Sequence, residues 1–219
     1  MLVPYGADNW PVARAAELAA TPVPGLPVAM VRDGAMLRIN GGGLDLPPPP
    51  PAEAELPMAE RIASHLKRLS GAWNRPAGLF VDRYFAFLQR QIDAHRAELE
   101  ARLRPFDGLF RPGDFIYSAP LPLPQAWLPA PAPDYVKVDF GFWLGTRMIA
   151  VLLAPSPLTP VAERRRRERL AAAGAEIADA GASDLTDMWF GQVLGAEASR
   201  YWDGETLPAA PFSAKAFDF

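Results

Sequence analysis

Asp139 stands in Val136-Lys137-Val138-Asp139-Phe140, a carboxylate inside a run that alternates apolar and polar residues. A carboxylate so placed can hold a hard cation or act as a base. It can equally serve the fold, hydrogen-bonded or paired with Lys137 or with an arginine of residues 164–169. The second concentration of charge is Glu163-Arg164-Arg165-Arg166-Arg167-Glu168-Arg169. Four successive arginines point around most of a helical turn, so they cannot all face one ligand. Three uses stay open for them: a solvated helix face with Glu163 and Glu168 as ion-pair partners, contact with phosphate or nucleic acid, and contact with an acidic protein. Glu98 and Glu100 are two apart and do not share a helix face, as solvated surface charges would not need to. His65 and His95 sit at amphipathic helical spacings and read as packing or rim histidines. Gly41-Gly42-Gly43 lacks the spacing and the lysine of a phosphate loop. Ser64 beside His65 has no nucleophile-elbow context.

Composition narrows the chemistry further. The chain has 219 residues, half of them hydrophobic, with 25 prolines and a net charge of −3. That is enough apolar content for a real core and argues against a chain disordered throughout. No cysteine is present, which excludes disulfides, thiolate metal sites and cysteine nucleophiles. Two histidines nearly exclude a multi-histidine metal centre. The negative charge leaves no global cationic field, so binding to nucleic acid would need a local patch. The N-terminus lacks a basic start followed by an apolar run, and the longest apolar run, near Met148–Pro155, is too short for a bilayer. A cytoplasmic protein without a membrane span is the expectation.

The elements that must position these groups fall in three stretches. Residues 1–51 read as a proline-rich N-terminal extension, with a hairpin over 27–40 and five prolines at 47–51 in polyproline II form. Residues 52–196 read as the α/β core. Short and long helices are expected at 59–69 and 79–103. Strands follow at 114–118, 135–144 and 147–154, then a helix at 161–173, a strand at 175–180 and a helix from Ser183 to about Leu194. Residues 197–219 form a tail with Tyr201, Trp202, Phe212, Phe217 and Phe219.

From residue 79 onward, the order helix, strand, strand, strand, helix, strand is that of the PD-(D/E)XK, or restriction-endonuclease-like, superfamily. The words VKVDFGFWLGTRMIAVLL, RRRRERLAAAGAEIAD and SDLTDMWFGQVL resemble very-short-patch-repair-type endonuclease domains over about Tyr135–Leu194. The resemblance implies an α/β (α+β) fold with a mixed central sheet flanked by helices, and a Mg²⁺-dependent phosphodiesterase site. Asp139 would be its first acid. The second acid and the water-orienting residue align with Leu152 and Ala154, both apolar, so the active site is degenerate. Glu163 or Glu168 could supply a migrated acid.

Three functions follow. The first is a non-catalytic interaction or accessory subunit, bound to a protein partner through the proline-rich segment and the aromatic tail. It would need no metal and no cofactor. The second is a metal-dependent DNA or RNA endonuclease with a migrated acid, for which Mg²⁺ would be required. The third is a non-catalytic nucleic-acid binder using Arg164, Arg165, Arg166, Arg167 and Arg169.

Overall fold

The structure is a computed structural model that describes residues 2–6, 28–39, 53, 56–71, 73–131 and 135–209. Its centre is a four-stranded mixed sheet in the order β3-β6-β7-β8, where β3 is Leu123–Pro124, β6 Phe140–Trp143, β7 Met148–Leu153 and β8 Ala175–Ala180. β6 and β7 are antiparallel neighbours, with Phe140 opposite Val151 and Trp143 opposite Met148. Their link runs through Gly145 at φ +89°. β7 and β8 are parallel, Leu152 opposite Asp179. A parallel pair needs a crossover. Helix α4, Pro160–Ala172, supplies it: the Thr159 hydroxyl caps its start by accepting from Ala162 N–H at 3.3 Å. All six residues of β7 are buried, as the unbroken apolar run Met-Ile-Ala-Val-Leu-Leu requires of a central strand.

Helix α1 spans Met58–Leu69, α2 Arg75–Ala94, α3 Arg96–Leu103 and α5 Asp187–Ser199. The long helix expected over 79–103 begins earlier, because the Asn74 side chain accepts from Ala77 N–H and Pro76 fits the first turn. It breaks at His95, whose φ of −110° and ψ of 15° leave the helical region. Phe80 of α2 stacks on Phe140 of β6 with centroids 4.2 Å apart, and meets Phe190 of α5 edge-on at 5.6 Å. Such pairs add about 0.5–1.5 kcal/mol beyond the area they bury. The Tyr84 hydroxyl, fully buried beside them, donates to the Pro120 carbonyl at 2.6 Å.

Three local expectations give way. Residues 114–118 form a 3-10 helix, Pro112–Ser118, and no strand: Pro112 starts a turn that the Asp114 carboxylate closes by accepting from Arg111 N–H at 2.7 Å. The last helix is capped by Thr186, not Ser183. The strand expected over 135–144 is split into β5, Tyr135–Lys137, and β6. β5 pairs with β4, Trp127–Pro129, in a separate two-stranded ribbon.

The N-terminal segment is tied into the core. Val28–Met30, strand β2, pairs with β1, Leu2–Pro4, and not with residues 36–39. Residues 36–39 instead run along the central sheet: Leu37 N–H donates to the Trp143 carbonyl at 2.9 Å and Ile39 N–H to the Ala119 carbonyl at 2.9 Å. Val3, Tyr5, Ala29, Val31, Leu37 and Ile39 are buried in the same hydrophobic cluster as Phe80 and Val151. In the tail, Tyr201 and Trp202 are buried, and Arg102 donates to the carbonyls of Trp202 at 2.7 Å and Glu205 at 3.0 Å. The prolines at 47–51, the triglycine at 41–43 and Phe212, Phe217 and Phe219 lie outside the described residues. No helix among the described residues is long and apolar enough to cross a membrane.

Candidate functional site

Asp139 lies where the chain changes partners. Val138 N–H donates to the Ala126 carbonyl beside β4 (2.9 Å), whereas Asp139 N–H donates to the Val151 carbonyl of β7 (3.2 Å). The Asp139 side chain continues that second pairing, with Oδ2 accepting from Leu153 N–H at 2.9 Å. The carboxyl is half-buried. Burial pushes its pKa up from the ordinary value; the Leu153 N–H and the charges of Arg166 and Lys137 draw it back in part, and Glu163 adds to the rise. The net direction is upward, toward the protonated acid.

Glu163, in the first turn of α4, is the acid that comes within electrostatic reach of Asp139. Its carboxylate pairs with Arg166 Nη2 at 2.7 Å and Arg167 Nε at 3.1 Å, and accepts from the Ser156 hydroxyl at 2.9 Å. Burial raises its pKa, but the hydrogen bonds from Arg166 and Ser156 and the charges of Arg166 and Arg167 outweigh that, so it stays below the ordinary carboxylate range. Arg167 also reaches across to Asp179 of β8, Nη1 to Oδ2 at 2.9 Å. Arg169 donates to the Tyr135 carbonyl at 3.1 Å. Arg164, Arg165 and Glu168 are exposed on α4. The five arginines therefore divide as helical geometry requires: Arg166 and Arg167 turn to the sheet, Arg169 to β5, Arg165 to the open groove beside β5 and Arg164 to solvent.

The remaining candidates lie elsewhere. Glu98 pairs with Arg102 at 2.9 Å and approaches His95 at 3.4 Å, while Glu100 sits 4.0 Å from Arg96. The His95 ring packs 5.1 Å from Trp202, and His65 is buried on α1. Leu152 and Ala154 are apolar, Leu152 buried within β7. Among the described residues no group of three or more histidine, aspartate or glutamate side chains is arranged to hold a metal ion.

Between β5 and α4 opens a groove of about 710 Å³, with Asp139 in its wall. Lys137, Arg165, Arg166 and Arg169 also line it, together with Trp127 and Gln125. Trp127 and Gln125 escaped the sequence reading because they stand in a proline-rich connection with no periodicity to flag them. A second, mostly apolar cavity of about 360 Å³ lies at the carboxyl ends of β7 and β8, between Leu153, Ala180 and Leu185.

The fold defines a class: an α+β protein built on a mixed four-stranded sheet. No family model, curated protein or solved structure matches the chain.

Proposed function

We propose that this chain is a non-catalytic interaction or accessory protein built on a degenerate endonuclease-like fold. One observation carries the reading: Asp139 accepts from Leu153 N–H, Glu163 is held by Arg166, Arg167 and Ser156, and the third candidate, Glu168, is exposed on α4. A divalent ion needs oxygen ligands that converge and are free to leave such partners. The residues at the aligned positions, Leu152 and Ala154, have none to offer. This ligand set does not fit the Mg²⁺ site of the resembled family, and no hydrolytic step is derived through it. Partner binding is assigned to the proline-rich stretch at 47–51 and the aromatics Phe212, Phe217 and Phe219. A preformed polyproline ridge loses little entropy on docking.

A second reading has one observation in its favour. Glu163 acts electrostatically on Asp139, a proximity that a migrated acid would need. The two are separated by experiment. Thermal melts in rising Mg²⁺ or Mn²⁺ should show no saturable shift, and plasmid DNA and single-stranded RNA should stay intact. Cleavage that disappears in both Asp139→Asn and Glu163→Gln would replace the first reading with the second.

A further inference from the structure

We propose that the cavity at the carboxyl ends of β7 and β8 binds a small monocarboxylate with an aliphatic or aromatic tail. The tail enters the cavity and the carboxylate meets Arg75 at its mouth. The inference goes beyond the accessory reading and is independent of it, since neither Asp139 nor Glu163 lines this cavity.

The interior selects the tail. Leu79 of α2, Leu153 of β7 and Leu185 bound about 360 Å³ of space, and Leu153 and Leu185 are each only 6% exposed. The space exists because the residues between those leucines are small: Ala154 follows β7, and Ala180 and Gly181 end β8. The volume is within the range of about 300–1,000 Å³ typical of small-molecule sites. Water is a poor occupant of such a lining, because an ordered water needs about two to four polar partners. A hydrocarbon tail gains from the same lining, by about fourfold in affinity for each methylene it buries.

The mouth selects the head group. Arg75 and Pro76, in the first turn of α2, and Ala182 are exposed, so the cavity opens to solvent between them. Arg75 is the one charged side chain among the described residues that line it. Its guanidinium has no hydrogen-bond or ion-pair partner among the described residues, and the first turn of α2 contains no acid. Asp184 does not line this cavity. Its Oδ2 accepts from Gly181 N–H at 2.7 Å, and it lines the neighbouring cleft together with Arg166 and Arg167. A guanidinium presents a planar fork that a carboxylate accepts with both oxygens. One such cation beside an apolar interior suits a monoanion, with the charge kept at the opening and the tail inside.

The test is a ligand-observed NMR titration of the full-length protein with hexanoate, acetate, hexan-1-ol and hexylammonium. Hexanoate should saturate the protein and bind at least about tenfold more tightly than acetate, which lacks four methylenes. Hexan-1-ol should bind more weakly than hexanoate, and hexylammonium more weakly still. Arg75→Gln, at an exposed position, should weaken hexanoate binding severalfold while leaving hexan-1-ol affinity and the thermal midpoint unchanged. Ala182→Phe places a ring in the opening and should weaken hexanoate and hexan-1-ol alike. Absence of saturable hexanoate binding overturns the proposal. So does equal affinity for acetate, or hexanoate affinity unchanged in Arg75→Gln or in Ala182→Phe. Hexan-1-ol or hexylammonium binding as tightly as hexanoate would also overturn it, leaving an apolar cavity without selectivity for an anion.

Discussion

Leu153 N–H donates to the Asp139 carboxylate, and this bond decides what each substitution of Asp139 does. Asp139→Ala leaves a buried strand amide unpartnered and should cost about 1–3 kcal/mol in a denaturant titration. Asp139→Asn keeps an oxygen to accept that bond and removes the burial penalty on the charge. The folded-state pKa of Asp139 is raised, so between its ordinary value of 3.8 and the raised value the folded chain binds more protons than the unfolded one. Its contribution to stability therefore falls as pH rises through that window and is constant above it. Asp139→Asn should be at least as stable as the native chain at pH 7, and the gap should close as pH falls toward 3.8. Midpoints measured at pH 7 and pH 4 for both proteins check the sign. A gap that widens on acidification would mean the charged form is the favoured one.

At the scale of elements, two contacts join the helices and strands that frame the site. Phe80 fixes α2 to β6, fully buried between Phe140 and Phe190. Phe80→Ala should cost about 3–5 kcal/mol. A denaturant titration of the variant beside the native chain checks this loss. Gly145 turns β6 into β7 with φ at +89°, and a Cβ there would stand 3.4 Å from the Gly34 backbone. Gly145→Ala should lower stability by about 1–3 kcal/mol through backbone strain, detectable as a lowered thermal midpoint. Both residues were visible in the sequence, Phe80 by its helical spacing and Gly145 by its place between two apolar runs. The exact helix start at Arg75 and the break at His95 were not, since they depend on a cap and on packing against Trp202.

For the whole molecule, the described parts of residues 1–51 belong to the same core as the sheet. Deleting residues 1–39 would strip Val3, Tyr5, Ala29, Val31, Leu37 and Ile39 from the cluster and expose the edge that Leu37 and Ile39 cover. At about 1.5–3 kcal/mol for each large aliphatic side chain, that loss exceeds the margin by which most domains are folded. The truncated chain should therefore lose its cooperative unfolding transition. A sharp melt retained after that deletion would show that residues 40–219 fold without them.

Periodicity along the chain determined the elements whose stability is local. The apolar run at 148–153 pointed to a buried strand, the 3.6-residue repeat of Phe80, Tyr84, Phe87 and Leu88 to a helix, and Gly145 to a tight link between residues 140–143 and 148–153. The sequence also supplied Asp139, Glu163 and the arginine cluster as candidates. What it could not determine was which of those charges meet. Arg167 reaches Asp179, and Glu163 with its helical neighbour Arg166 comes beside Asp139, only because β8 lies parallel to β7 and α4 crosses between them. The splitting of residues 135–144 between two sheets, the docking of residues 28–39 and the gathering of Trp127 with Lys137 and Arg165 are likewise products of long-range pairing. Such contacts join residues tens of positions apart, and a local pattern carries no record of them.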